Sequence, residues 1–384
     1  MSSLLIRNCR VISPDVDLPD AAVEIDGDSI KQVYRSGDLL PATEATFDAG
    51  GGMLVPGFID MHFHGGMGHD VTYADPEGLA RIAEAKLREG VTSICPATLT
   101  LPEEKLVATM QSVAEYRADE RYAKVVGVHL EGPFINPECI GAQNPAFVRG
   151  PDILEVDRLA SISDVAIVSY AVEVEGGMEF TSQLRERGMV PSCGHTAATY
   201  AQLREAKAHG LRHLTHFCNQ MTKLHHREIG LVGGGLMDDD LLAEMICDTI
   251  HLCPDMIRLA FKCKPIDKIA LITDAMSATG LEDGTYDLGG LDVVVSEGAA
   301  RLASNGALAG STLQLNVAFR NVAEVTGLPL SELVKTTSLN QAQSLGLSDR
   351  GRVEAGYLAD LAVLDGDFRV TAAFVSGEKR YMAS

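Results

Sequence analysis

The chain predicts an α/β fold, a (β/α)8 TIM-like barrel with a small β-sandwich domain formed by its N- and C-terminal segments, and three observations carry that expectation. Between about residues 54 and 275, eight short runs rich in β-branched and apolar residues recur, and most are followed by a segment of helical periodicity. Those runs are apolar almost throughout, as strands covered on both faces are. The two ends differ: short strand-like runs there alternate with turn signals, and neither end has enough apolar face to fold alone.

The eight runs are 55–59, 92–95, 125–130, 165–171, 189–193, 213–215, 242–246 and 269–273. Segments 76–89, 103–116, 198–208 and 254–262 space Leu, Ile, Val and Ala three and four apart, which predicts crossover helices. Eight such units over roughly 220 residues fit a closed parallel barrel, with a doubly wound open sheet as the alternative. At the N-terminus, 4–11, 22–25 and 30–34 read as antiparallel strands. At the C-terminus, 352–353, 361–364, 370–375 and 380–382 repeat that character. The expected division is residues 1–53 with 348–384 as the small domain and 54–347 as the catalytic barrel. Residues 280–304 read as a hairpin excursion after the eighth strand.

Composition removes several function classes. Hydrophobic residues at 46% and charged residues at 22% leave no case for disorder. A formal net charge of −21 speaks against sequence-independent nucleic-acid binding, which needs many phosphate-neutralising cations on one face. No apolar run reaches the ~18 residues of a membrane span, and the first residues lack a signal peptide, so no membrane partner and a cytoplasmic location are expected. The eight cysteines are scattered without zinc-ribbon or redox spacing, which predicts buried reduced thiols.

Metal-capable side chains follow the expected strands, where barrel enzymes assemble their sites. His62 and His64 close the first run, and their i, i+2 spacing on a strand sends both rings to one face. Glu131 ends the third run, where a carboxylate is rarely buried without a cation. His195 follows the fifth run and His216 the sixth. Each histidine alone is more often a satisfied core residue, but four with a glutamate at successive strand ends suit a divalent cation. Asp274 closes the eighth run; propensity reads it as an N-cap, and a metal site would use it to take a proton from water and return it to a leaving amine. A zinc-like ion lowers the pKa of bound water to about 7 and polarises a carbonyl. Arg227 and His251 could bind an anion or stand solvated, and Gly306 to Ser311 reads as a turn before a helix near Thr312.

Taken in order, Pro-Gly-Phe-Ile-Asp-Met-His-Phe-His-Gly, His-Leu-Glu-Gly-Pro-Phe-Ile-Asn-Pro, Gly-Ala-Gln-Asn-Pro, Gly-His-Thr, Thr-His-Phe-Cys-Asn-Gln-Met, His-His-Arg-Glu, Thr-Asp-Ala and Leu-Ala-Gly-Ser resemble the amidohydrolase superfamily. Within it they look like the N-acetylglucosamine-6-phosphate deacetylase family across the whole chain. The resemblance implies hydrolysis of the N-acetyl group of an amino-sugar phosphate, with N-acetylgalactosamine 6-phosphate or another small amide as the alternative. It implies one or two divalent cations per subunit, zinc first and Fe, Co or Mn next. Glu131, His195 and His216 would hold the main metal, with His62 and His64 available for a second and Asp274 as the catalytic acid-base. Ala142, Gln143, Asn219, Gln220, Asp248, Leu308, Ala309 and Gly310 would line the sugar site. His251 and Arg227 would take the phosphate, Arg227 from the second subunit of a homodimer. Gln143, Gln220 and Thr249 depart from the family's usual His, Ala and Gly. No lysine ends the fourth run, so a carbamylated bridging lysine is not implied.

Overall fold

The computed structural model describes residues 3–383. Its parallel strands lie in two curled sheets. In the first, Phe58–Phe63 pairs with Val91–Pro96, which pairs with Lys124–Val125. The second runs Val128–Glu131, Val165–Tyr170, Val190–Cys193, His213–Leu214, Leu242–Ile246 and Ile269–Ile272, with every neighbour parallel. A parallel bridge between Ala97 and His129 ties the two sheets on one side. On the other, Asp274 N donates to His62 O at 2.8 Å and His64 N to Ala275 O at 2.7 Å. The run expected at 125–130 is thus two strand pieces with Gly127 between them at φ 148, where a Cβ would lie 2.4 Å from Ala166 Cβ.

The run expected at 55–59 also divides, at Gly57. Met53–Pro56 pairs antiparallel with Leu361–Leu364, and only Phe58–Phe63 enters the parallel sheet. A Cβ on Gly57 would stand 2.1 Å from Thr92 Oγ1, so the crossing between sheets requires glycine. Apolar continuity hid this break, because both pieces are fully buried.

Both chain ends share one sheet. Its order is Glu378–Met382, Val370–Val375, Leu361–Leu364, Met53–Pro56, Ser3–Ser13, Val16–Asp26 and Ser29–Tyr34, with Ala45–Asp48 beside Ser3–Ser13. Ile6, Val11, Val23, Ile25, Leu54, Leu361, Val363 and Phe374 form its own apolar cluster, each burial worth about 1.5–3 kcal/mol. Residues 352–353 form no strand; Val353 N instead donates to Ser13 Oγ.

Helices follow the expected segments with shifted ends. Pro76–Arg88 starts behind Asp75, whose carboxylate accepts from Glu77 N. Glu103–Ala118 and Pro254–Cys263 also form, and Tyr200–Ala208 starts two residues late because Thr199 and Gln202 make a capping box. The helix expected near Thr312 is Leu315–Thr326, since Ser311 Oγ is committed to Thr273 O. The expected hairpin is a three-stranded meander of Gly284–Leu288, Leu291–Ser296 and Ala299–Leu302.

All eight cysteines are free, but Cys253 and Cys263 are exposed, against the expectation of buried thiols. Among the described residues, no helix is long and apolar enough to cross a membrane.

Candidate metal and catalytic site

The side chains expected at the strand ends converge. Glu131 is the last residue of its strand, His195 and His216 each follow theirs by two residues, as does Asp274, and His64 follows Phe58–Phe63 directly. His195, His216 and Asp274 adopt φ of 48°, 32° and 49°, the left-handed region that side chains with a Cβ avoid. Such strain persists where the surroundings over-determine it, commonly at functional sites. Asp274 is therefore no helix N-cap.

Glu131 is the hub. Its Oε1 lies 3.3 Å from His195 Nε2, 3.2 Å from His216 Nε2 and 3.5 Å from His62 Nε2, while His64 Nε2 stands 3.3 Å from Oε2. Asp274 Oδ1 is 3.1 Å from His64 Nε2 and 3.7 Å from His62 Nε2. The His195 and His216 Nε2 atoms are 3.0 Å apart. Two sets of three ligand atoms, His62 with His64 and Glu131, and Glu131 with His195 and His216, each fit within 4.8 Å. Among the described residues, the buried His62 Nε2 has no hydrogen-bond partner. An unsatisfied buried nitrogen is costly, and imidazole plus carboxylate suits a divalent transition metal. The residues fit a cation on these grounds.

Electrostatics follow from this crowding. Burial pushes Glu131 up, but the His62 charge and the close approach of His195 and His216 outweigh it and hold the carboxyl well below its usual range. Burial lowers His64, yet Asp274 and Glu131 carry it up to about 9. Asp274 ends below its ordinary value: burial raises it, and His64 and His62 bring it down.

The cluster opens into a cavity of about 290 Å³ that His64, Glu131, His195, His216 and Asp274 share with Ala142, Gln143, Asn219, Gln220, His251, Leu308 and Gly310. Gln143 accepts from Thr100 N at 2.7 Å and donates to Glu131 Oε2 at 2.6 Å. Asp248 stands behind the wall, with its Oδ2 2.6 Å from His251 Nδ1, so the ring's Nε2 is its remaining polar atom. Ala309 is buried within the loop, outside the lining. Arg227 is exposed, bonded to His226 Nε2 at 2.7 Å, and does not reach the cavity of its own chain.

Sequence reasoning missed a buried polar layer below this site. Glu244 Oε2 lies 3.2 Å from His62 Nδ1 and its Oε1 3.1 Å from His213 Nδ1, while His213 Nε2 meets Ser344 Oγ. His129 Nε2 bonds Ser169 Oγ at 2.6 Å, and burial and the His62 charge depress its pKa to about 3. Beside it, Lys86 Nζ is 2.9 Å from Asp60 Oδ2 and 3.1 Å from Glu89 Oε2, and Thr273 Oγ1 donates to Asp60 Oδ2 at 2.6 Å. The available signal was a lone acid inside an apolar run, Glu244 in Leu-Ala-Glu-Met-Ile and Asp60 in Phe-Ile-Asp-Met.

Known proteins resemble this chain in sequence and in fold. The model of the amidohydrolase family matches residues 53–381. An N-acetylglucosamine-6-phosphate deacetylase of Lysinibacillus sphaericus is 37% identical over 366 residues, 94% of each chain. An N-acetylgalactosamine-6-phosphate deacetylase of Escherichia coli O157:H7 is 38% identical over 330 residues, 85% of this chain and 87% of the other. A mutant N-acetyl-D-glucosamine-6-phosphate deacetylase from Mycobacterium smegmatis, solved in complex with N-acetyl-D-glucosamine-6-phosphate, superposes with a TM-score of 0.93 at 33% identity and full coverage of both chains.

Proposed function

The chain belongs to the amidohydrolase family, and from that premise we propose that it hydrolyses N-acetylglucosamine 6-phosphate to glucosamine 6-phosphate and acetate. The observation that supports this best is the approach of Asp274 Oδ1 to within 3.1 Å of His64 Nε2, in the same cavity as the Glu131, His195 and His216 ligand set. Glu131, His195 and His216 would hold a divalent metal, zinc first and Fe, Co or Mn next, with His62 and His64 offering a second position that Glu131 would bridge. When bound, such an ion supplies Lewis acidity to the acetamide carbonyl and lowers the pKa of the attacking water.

Asp274 does the proton work in this reading. Standing 3.1 Å from His64 Nε2, its Oδ1 would take a proton from the attacking water and return it to the amine nitrogen as the C–N bond breaks. Asn219, Gln220, Leu308 and Gly310 orient the sugar, and Gln143 fixes the Glu131 carboxylate. His251, oriented by Asp248, meets the phosphate. Arg227 reaches the same phosphate from the second subunit of a homodimer, which gives its exposed side chain a function.

We further infer that Phe58–Phe63 and Ile269–Ile272 close the parallel sheets into a (β/α)8 barrel, across the Asp274 to His62 and His64 to Ala275 backbone bonds. Residues 3–56 with 348–383 form the small β-sandwich domain, and the barrel begins at Phe58 rather than at residue 54 and runs to 347; the enzyme works in the cytoplasm.

The second reading is the galactosamine epimer, favoured by the 38% identity to the Escherichia coli enzyme. Measuring kcat/KM for acetate release from the two sugar phosphates separates them. A preference for the glucosamine form is expected; a preference for the galactosamine form replaces the first reading, and release from neither rejects both.

A further inference from the structure

At the end of the parallel strands opposite the cluster lies a second cavity, of about 560 Å³. Its wall is built from residues that precede strands: Arg185 ahead of Val190–Cys193, Arg212 just before His213–Leu214, and Lys268 just before Ile269–Ile272. Asn340, Gln343 and Ser344, all from the short helix Leu339–Ser344, complete it. The chain carries a net charge of −21, yet here three cations gather. Among the described residues, Arg185, Arg212 and Lys268 make no ion pair. Of the two acids on the wall, Asp240 is paired with Lys207 at 2.6 Å, and Asp267 is largely exposed, 3.8 Å from a Lys335 that Asp15 and Glu332 hold more closely. Burial and the neighbouring Arg212 both lower the Arg185 pKa, so the two guanidiniums stand close enough to repel each other.

The neutral side of the wall has a complementary need. Asn340 is 2% exposed, and its Nδ2 donates to Ile266 O at 2.8 Å and Ile269 O at 2.7 Å, which fixes the amide orientation. Its Oδ1 is buried without a partner among the described residues. A buried acceptor in that state calls for a donor. An anion alone cannot supply one; a hydroxyl can.

We propose that this basin is a second ligand site for a hydroxylated phosphate ester, with the phosphoryl group on Arg185, Arg212 and Lys268 and a hydroxyl donated to Asn340 Oδ1. Guanidinium forks bind phosphoryl oxygens in pairs, and the cavity volume falls in the usual range for small-molecule sites. The basin does not stand apart from the catalytic end. His213 lines it, and the hydrogen-bonded chain from Ser344 through His213 and Glu244 ends on His62.

Isothermal titration of the metal-loaded enzyme with glycerol 3-phosphate and with inorganic phosphate tests this, using wild type and Arg185→Ser/Arg212→Ser. Both arginines are at least partly exposed, so the double variant should fold and keep acetate release within twofold of wild type. Wild type should bind one more equivalent of glycerol 3-phosphate than the variant, and that extra site should hold inorganic phosphate at least fivefold more weakly. Equal stoichiometry in the two proteins overturns the site. Equal affinity for ester and phosphate at the extra site overturns the hydroxyl contact. The binding counts stand whether or not the enzyme deacetylates the proposed sugar, so the two readings fail separately.

Discussion

Gln143 Nε2 donates to Glu131 Oε2 at 2.6 Å, and through that bond it sets which carboxylate oxygen faces His195, His216 and His62. With Oε2 engaged, Oε1 is the atom that His195, His216 and His62 approach. The Gln143 Oε1 is itself held by Thr100 N at 2.7 Å, so the amide cannot turn over freely. Gln143→Leu should therefore weaken metal affinity about 10-fold or more, the usual effect of losing a partner that orients a ligand. Competition with a fluorescent zinc chelator measures it. An unchanged affinity would show that the carboxylate needs no such guide.

Glu244 holds the opposite nitrogen of His62. A ligating imidazole is normally oriented by a carboxylate on its other nitrogen. Glu244→Gln should keep the fold and lower the affinity for the second of two metal equivalents, leaving the first, on Glu131, His195 and His216, within about threefold. Metal content at graded chelator concentrations reads this out.

Asp274→Asn should reduce kcat by about 10²- to 10⁴-fold, the range for a general acid-base group. KM for the sugar phosphate should change little, because no phosphate or sugar contact is removed. Loss of binding with kcat intact would assign Asp274 to recognition.

Much of this site was legible in the sequence and some of it was not. His62, His64, Glu131, His195, His216 and Asp274 stood out because each follows a run of apolar β-formers, and the parallel register brings strand ends together. Lys86 was invisible for the opposite reason: it sits on the buried face of an amphipathic helix, where a lysine ordinarily snorkels to solvent. Only the three-dimensional meeting with Asp60 and Glu89 explains it. Arg227 shows a third case: its exposed guanidinium bonds only the neighbouring His226, at 2.7 Å, so the role proposed for it leaves no mark on the cavity of its own chain. The break at Gly57 was hidden by composition, because the strands on either side are equally apolar.

That buried triad makes its own stability prediction. Lys86→Met leaves Asp60 and Glu89 facing each other without a cation in the core, and should cost about 3–5 kcal/mol of unfolding free energy. Urea unfolding followed by circular dichroism measures it. Lys86→Arg should recover part of the loss.

A pH effect follows from Lys264, buried against the end of the helix Gly230–Met237, where its Nζ donates to Gly235 O at 2.9 Å and Asp238 O at 2.7 Å. Burial lowers its pKa to about 8, from 10.5 in the unfolded chain. Below pH 8 both states are protonated and the cost of burying the charge is fully present. Between pH 8 and 10.5 the folded state releases its proton first, so that cost is progressively removed. The stability of wild type relative to Lys264→Met should accordingly rise across that window and stay flat below it. A difference independent of pH would mean that the lysine is hydrated in the folded protein.

Chelator-treated protein, with zinc or manganese titrated back and acetate release from N-acetylglucosamine 6-phosphate measured alongside bound metal, probes the cluster most directly. Release should be absent without metal and should rise with occupancy to a plateau at one or two ions per chain. Turnover that persists at zero bound metal, or full occupancy without acetate, would contradict a cation held by Glu131, His195 and His216 as the centre of the chemistry.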